Sequence, residues 1–393
     1  MQIPALQQLT TRVGPFVSVS MDVSRNDERA VSEVQVRWQD LERKLTSAGA
    51  PAEVLSRIGE VVVEPTGEPG HQGRLVIADR DGIALNLVLP ARPTRNEAFY
   101  GPAPHVLPAF RALAETVPYL LASIDRTGAD ITVVDALGAS VDTVEVQGSH
   151  DVVHKVAGGQ MSGRRIQARA EDSWERNAAE VARELEELIS RHHPAVVLLD
   201  GDAVAVSHLL DAASGRLKEL AVRLKYGGRG SGASTKSRDA EIAGVLVGQR
   251  RSANAALMDR FGTEEGRQEA AVQGLESVVD AARRAQIGEL LLHDDPSSTH
   301  TLWLGPGAGE LGTTEEEVRS IGAADAVKVR ADTALVWTVL STDAGVTLLD
   351  PDDRALSDGI GALLRWSDRS TPHDAIPSMP GHGAVQGAHH RGG

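Results

Sequence analysis

No cysteine occurs in the 393-residue chain, which removes disulfides, thiolate zinc sites, iron–sulfur clusters and a cysteine nucleophile together. Nowhere do about 18 apolar residues run on, and Met1 to Val23 lacks the basic start and apolar core of a secretory leader. The expected address is therefore the cytoplasm, with no membrane partner. A Gly-x-x-x-x-Gly-Lys-Ser/Thr phosphate loop is also missing, so any GTP chemistry would belong to a partner. Gly305-Pro306-Gly307-Ala308-Gly309 follows an expected strand but falls short of Gly-x-Gly-x-x-Gly, which argues against a dinucleotide site. Neither a cofactor nor a metal site is expected.

Positive charge is scarce overall, the formal net charge being -15. Phosphate binding relies on Lys and Arg, so the sum argues against a nucleic-acid partner and the distribution argues for one. Val152 to Ala170 holds Lys155, Arg164, Arg165 and Arg169 without an acid. Ser214 to Arg238 holds Arg216, Lys218, Arg223, Lys225, Arg229, Lys236 and Arg238 against Glu219 alone. Both basic stretches lie in the middle third. The acidic clusters Asp294-Asp295 and Asp350, Asp352 and Asp353 read as solvated turns, and His192-His193 as a helix C-cap.

Length and composition suit two or three α/β domains. Phe16 to Met21 alternates like a strand, and Val31, Val34, Trp38, Leu41 and Leu45 recur at helical spacing. Further strands are expected at Leu75 to Ala78 and Ile83 to Leu89, and prolines 102, 104 and 108 mark a connection. The middle segment opens with strands at Tyr119 to Asp125, Asp130 to Val134 and Val141 to Val146. A helix with Trp174, Ala178, Val181, Leu185 and Leu188 on one face follows, then a buried strand Ala195 to Asp200 and a helix from Ala203 to Val222. Tyr226 to Arg238 reads as a loop. The last segment predicts a helix near Gln268 to Ala285 and strands at Glu289 to His293 and Thr301 to Leu304. A capping box of Thr313 with Glu316, strands at Ala334 to Leu340 and Val346 to Leu349, and a short helix from Ile360 to Trp366 complete it. Expected boundaries are 1–115, 116–250 and 254–370, with a disordered tail at 371–393.

Gly158-Gly159-Gln160 stands between a strand and a long helix, inside the first basic stretch. Two glycines allow a backbone to approach a ligand without a Cβ clash. Adjacent cations supply phosphate contacts, and the helix N-terminus adds a favourable dipole. In that setting the tripeptide resembles the central domain of the archaeal and eukaryotic class-1 release factors.

The likeness extends along the chain. Gly14 to Val19, Asp125-Arg126-Thr127-Gly128-Ala129-Asp130, Val153-His154-Lys155, Ala271 to Leu275 and Asp358 to Arg365 occur in family order. Together they resemble bacterial Pelota and release-factor-like proteins, most nearly the Balon-type ribosome hibernation factors and their actinobacterial relatives. The resemblance implies an N-terminal α/β domain toward the decoding centre. It further implies a central mixed-sheet α/β domain reaching the peptidyl-transferase centre, and a C-terminal α/β domain, like a kink-turn-binding ribosomal protein, that recruits a GTPase. Implied partners are the 70S ribosome, through 23S and 16S rRNA, and elongation factor Tu with GTP or GDP, but not DNA. Implied rRNA-binding residues are Lys155, Gly158, Gly159, Gln160, Arg164, Arg165 and Arg169, with Lys225, Arg229, Lys236 and Arg238 as a second set. An Asn-Ile-Lys-Ser stop-codon element is lacking, so codon-specific termination is not implied. Two functions stay open: a binder that shields vacant ribosomes, and a codon-independent peptidyl-tRNA hydrolase in which Gln160 positions the attacking water.

Overall fold

The computed structural model describes residues 4–25, 30–66, 72–114, 116–147, 163–226, 235–267, 269–323, 325–350 and 352–368. The expected tail at 371–393 lies outside them.

The first segment holds α1 (Pro4–Gln7), β1 (Phe16–Asp22), α2 (Ala30–Ser47), α3 (Ala52–Val63), β2 (Gly73–Asp79), β3 (Gly82–Leu89), β4 (Glu97–Gly101) and α4 (Leu107–Ala114). Its strands form an antiparallel sheet ordered β3-β2-β1-β4. Alternation along β1 sends Val17, Val19 and Met21 to one face, where Val34, Trp38, Leu41 and Leu45 of α2 and Val54, Leu55, Ile58 and Val62 of α3 cover them. Phe16, Ser18 and Ser20 point the other way, and both serines are 2% exposed. A polar strand face is ordinarily solvated. Here the last segment of the chain covers it.

The middle segment comprises β5 (Tyr119–Ile124), β6 (Gly128–Val134), β7 (Ser140–Gln147), α5 (Gly163–His192), β8 (Val196–Gly201), α6 (Ala203–Ala212), α7 (Gly215–Leu220) and β9 (Ala221–Arg223). The sheet runs β7-β6-β5-β8-β9, antiparallel on one side of β5 and parallel on the other. The expected helix from Ala203 to Val222 is two helices and an edge strand, because Ser214 caps a new helix through Leu217 N. Ala178, Val181, Leu185 and Leu188 of α5 pack on Leu120, Ala122 and Ile124, as their spacing predicts.

Next comes α8 (Thr235–Arg267), which periodicity does not reveal. Its first half lays Ile242 and Val245 on Val196 and Leu198 of the central sheet. Its second half lays Met258 and Phe261 on Ala271, Leu291 and Leu363 of the last sheet. These two apolar patches sit roughly 160° apart around the helix, so no single stripe forms. The helix passes unbroken through residues 250 to 254, between the expected central and C-terminal domains.

The last segment contains β10 (Ala271–Gln273), α9 (Leu275–Arg283), β11 (Ile287–His293), β12 (Thr301–Leu304), β13 (Leu311–Gly312), α10 (Glu315–Ser320), β14 (Val327–Arg330), α11 (Ala331–Ser341), β15 (Gly345–Leu349) and β16 (Ile360–Leu364). One sheet is ordered β10-β16-β11-β15, with β11 and β15 parallel, and a smaller one β13-β12-β14. Where the apolar run predicts a strand over Ala334 to Leu340, the chain forms α11, buried from Thr333 to Leu340. A helix apolar all round belongs between layers, and α11 lies between the first sheet and the last. The short helix expected at Ile360 to Trp366 is instead β16, paired on both sides by β10 and β11. The capping box is shifted by one residue: Thr314 accepts from Glu317 N, and Glu317 reaches back to Thr313 N at 2.9 Å.

First and last segments thus share one core. Phe16 meets Trp337 edge to face, ring centroids 5.8 Å apart. Beside them His105 donates its backbone N–H to Ser18 Oγ, with its ring nitrogens 3.0 Å from Thr333 Oγ1 and 3.2 Å from Glu97 Oε2. Arg111 donates to Glu97 at 2.9 Å and to both oxygens of Asp294 at 2.7 and 3.0 Å. Asp294 is therefore a junction residue and not a solvated turn. So is Asp350, which accepts from Arg250 of α8 at 2.8 Å.

Candidate nucleic-acid interface

The end of the central sheet from which the Gly-Gly-Gln segment departs is tied together by a compact polar cluster. β5 ends in a turn in which Asp125 accepts from Thr127 N and Gly128 N at 2.7 and 3.0 Å. Gly128 pairs with Gln147, the last residue of β7. β8 ends at Gly201, where a φ of +118° and the 1.9 Å approach a Cβ would make to the Ile124 carbonyl oxygen admit only glycine. Asp202 follows and caps α6 through Val204 N and Ala205 N. Burial alone would raise its pKa. The two backbone donors and the Arg126 charge outweigh that and hold the carboxyl below its ordinary value.

Arg126 connects this end of the sheet to α5. Its Nε donates to Asp202 at 3.1 Å, its guanidinium lies 4.3 Å from the centroid of Trp174, and its carbonyl accepts from Asn177 Nδ2 at 3.1 Å. Sequence periodicity treats Trp174 as core. It is half-buried, stacked under a cation, and fixes the helix at 174 to 177. The eleven helical residues before it, Gly163 to Ser173, make a rod roughly 16 Å long. Sequence reasoning passes over Arg126, Trp174, Asn177 and Asp202 as a group, because the cluster joins a turn, a helix and a cap far apart in the chain. The Asp125-Arg126-Thr127-Gly128 turn is the one local signal.

Lys155, Gly158, Gly159, Gln160 and Arg229 lie outside the described residues. Arg164, Arg165 and Arg169 fall within the first turns of α5. Of the second basic set, Lys225 and Lys236 are exposed, on either side of residues 227–234. Arg238 is turned inward, 3.4 Å from Asp200 Oδ2, whose side chain is fully buried, and 3.8 Å from Asp239. The backbone N–H groups of Lys225 and Tyr226 donate to Glu241. Lys225 and Lys236 are thus presented outward while Arg238 joins β8 to α8. Among the described residues no cluster of side chains suits a metal ion, and no helix is long and apolar enough to cross a membrane.

Residues 118–267 match the model of bacterial archaeo-eukaryotic release factor family 2. Two uncharacterized proteins of Mycobacterium tuberculosis, from two strains, are each 27% identical over 371 residues, spanning 93% of this chain and 97% of theirs. Among solved structures, Archaeoglobus fulgidus Pelota aligns at 14% identity over 92% of both chains with a TM-score of 0.34. Saccharomyces cerevisiae Dom34, a translation termination-like factor, aligns at 11% identity over 77% of this chain and 81% of its own with a TM-score of 0.36. The chain thus has a mixed α/β fold, and over residues 118–267, fewer than half of its length, it is similar to bacterial archaeo-eukaryotic release factor family 2.

Proposed function

We propose that the protein occupies the A site of vacant 70S ribosomes, contacts 23S and 16S rRNA, and shields the decoding and peptidyl-transferase centres. The observation that carries this reading is a coincidence of position. The segment matching the release-factor family, 118–267, contains both basic stretches and the Gly-Gly-Gln tripeptide of an otherwise acidic chain. Phosphate neutralisation by Lys and Arg releases counterions, so binding should weaken steeply with salt. Residues 1–115 would lie toward the decoding centre, and 254–370 would recruit elongation factor Tu with GTP or GDP. This reading places the protein in the cytoplasm.

Two measurements test it. Sucrose-gradient fractions of cell extract, read by mass spectrometry, are expected to carry the protein in the 70S peak at low salt and to lose it as salt is raised. Recovery only among soluble proteins at every salt concentration would remove the ribosomal role. Purified elongation factor Tu is expected to be captured by the immobilised full chain. The whole chain is required, because a cut at residue 254 severs α8 and strips the first sheet of its cover. Failure of capture in both GTP and GDP would withdraw that partner.

A second reading rests on the tripeptide itself. As a peptidyl-tRNA hydrolase, the protein would use Gln160 to position water on the ester, with nearby backbone N–H groups holding the oxyanion.

A further inference from the structure

Residues 148–162, which contain Gly158-Gly159-Gln160, run between two described elements: β7, whose last residue is Gln147, and α5, whose first is Gly163. Both elements are tied to one short turn, Asp125-Arg126-Thr127-Gly128. On the β7 side, Gly128 pairs with Gln147, and a Cβ at Gly128 would stand 1.9 Å from the Val146 carbonyl oxygen. Strand β7 therefore ends in direct contact with the turn. On the α5 side, the Arg126 carbonyl accepts from Asn177 Nδ2 at 3.1 Å, and the Arg126 guanidinium lies 4.3 Å from the Trp174 ring centroid. The turn itself is held by Asp125, which accepts from Thr127 N and Gly128 N, and by Asp202, which accepts from Arg126 Nε at 3.1 Å.

Among the described side chains, α5 joins the central core from Ala178 onward. The ties at Trp174 and Asn177 lie ahead of that packing, and beyond them eleven residues project as a rod of roughly 16 Å. A tilt of about 10° at Trp174 would carry Gly163 about 3 Å sideways. Polar recognition is held to within about 0.5 Å, so a displacement of that size matters. The planar guanidinium suits the task, because Asp202 takes its edge while Trp174 takes its face. A lysine ammonium could not hold both in fixed directions.

We propose that Arg126 is a positioning residue for ribosome binding: by joining Trp174 to Asp202 it sets where the chain leaves β7 and re-enters α5, and so how Arg164, Arg165, Arg169 and the tripeptide are presented. It acts through these elements and makes no contact with RNA itself. The proposal deepens the ribosomal function and rests on it. One substitution separates this role from that of a phosphate contact, because the two predict opposite signs. If Arg126 bound phosphate, Asp202→Asn would free its guanidinium and strengthen binding. For a positioning residue, the same change removes what orients the guanidinium, and binding weakens although the chain gains a unit of positive charge.

Asp202→Asn is also mild, since Asn caps a helix as well as Asp does and the ion pair with Arg126 is partly exposed. Asp202→Asn and Arg126→Ala are each expected to weaken binding of the full chain to 70S ribosomes roughly tenfold, with the thermal unfolding midpoint nearly unchanged. A second reading needs no ribosome. The chain has no cysteine, so spin labels on introduced Glu145→Cys and Ala168→Cys report on the end of β7 and the α5 rod alone. Their distance distribution, from double electron–electron resonance, is expected to broaden in both variants. Failure of the wild-type chain to bind 70S ribosomes at any salt concentration would remove the ribosomal function and this proposal with it. With wild-type binding intact, unchanged affinity in both variants, tighter binding by Asp202→Asn, or an unaltered distance distribution would overturn the positioning role. So would a loss of affinity matched by a fall in the midpoint, which marks a merely structural part.

Discussion

Reversing Arg164 and Arg165 to glutamate together is expected to weaken binding to 70S ribosomes about a hundredfold near 0.1 M salt and to lower the salt slope by about two. Both residues belong to the first basic stretch, ahead of the point where Trp174 and Asn177 anchor α5. Each phosphate that these arginines no longer neutralise keeps roughly one counterion in place. Filter binding over a salt series reads both quantities, and an unchanged slope would show that these cations face solvent in the complex. Gln160→Ala is the companion measurement. For an occupying factor it should leave affinity and protection nearly intact, because binding is spread over many residues. For a hydrolase, loss of one positioned polar group should cut peptide release on the order of a hundred- to a thousand-fold. Rapid release by the wild-type protein from a programmed 70S complex, abolished in Gln160→Ala, would make the second reading the correct one.

Acidification is expected to loosen the seam between the first and last segments, with Glu97 as the principal group. Burial pushes its carboxyl up, but the hydrogen bond from His105, the Arg111 charge and the Arg95 contact outweigh this and bring it to about 2, from an ordinary 4.5. A depressed carboxyl stabilises the folded chain fully above its unfolded value and loses that contribution as pH falls. The window therefore runs from about pH 4.5 down to about pH 2. A shift of this size corresponds to about 3 kcal/mol. Its side chain is 14% exposed, so solvent screening removes little of that. At pH 7, Glu97→Gln is expected to lower the unfolding midpoint by roughly 3 to 4 °C, since it leaves Arg111 held by Asp294 alone. Below pH 3 the difference between variant and wild type should shrink toward zero. A gap that stays constant over that window would show that Glu97 contributes through packing instead.

How much of this was legible in advance differs element by element. β1, α2 and α5 follow from alternation or from a single apolar stripe, because each packs against one partner in one direction. α11 misleads because Ala334 to Leu340 is buried on every side, which erases the periodicity that separates a helix from a strand. β16 misleads for a related reason: all five of its residues are buried, so no polar positions mark the alternation. α8 is hidden because its two halves face different sheets. For the candidate interface, the basic stretches and the tripeptide are visible in sequence, as is the likeness to release factors. The inward turn of Arg238 onto Asp200 and the Arg126–Trp174 stack are not, since each depends on residues brought together from distant segments. The junction ion pairs show the same limit. Asp294 and Asp350 look like surface acids until Arg111 and Arg250 arrive from elsewhere.

α8 has a mechanical consequence. From the patch at Ile242 to the patch at Phe261 continuous helix runs through the eighteen residues between them, a span of about 28 Å that resists compression. Such a strut converts angle into distance: a tilt of about 10° where Phe261 is seated would carry Ile242, and the sheet face it packs on, roughly 5 Å sideways. Gly244 and Gly248 have no neighbour within 4 Å of where a Cβ would stand, so the strut has free space around those points. Whatever docks on the last sheet thereby has a lever on the central sheet from which the Gly-Gly-Gln segment departs.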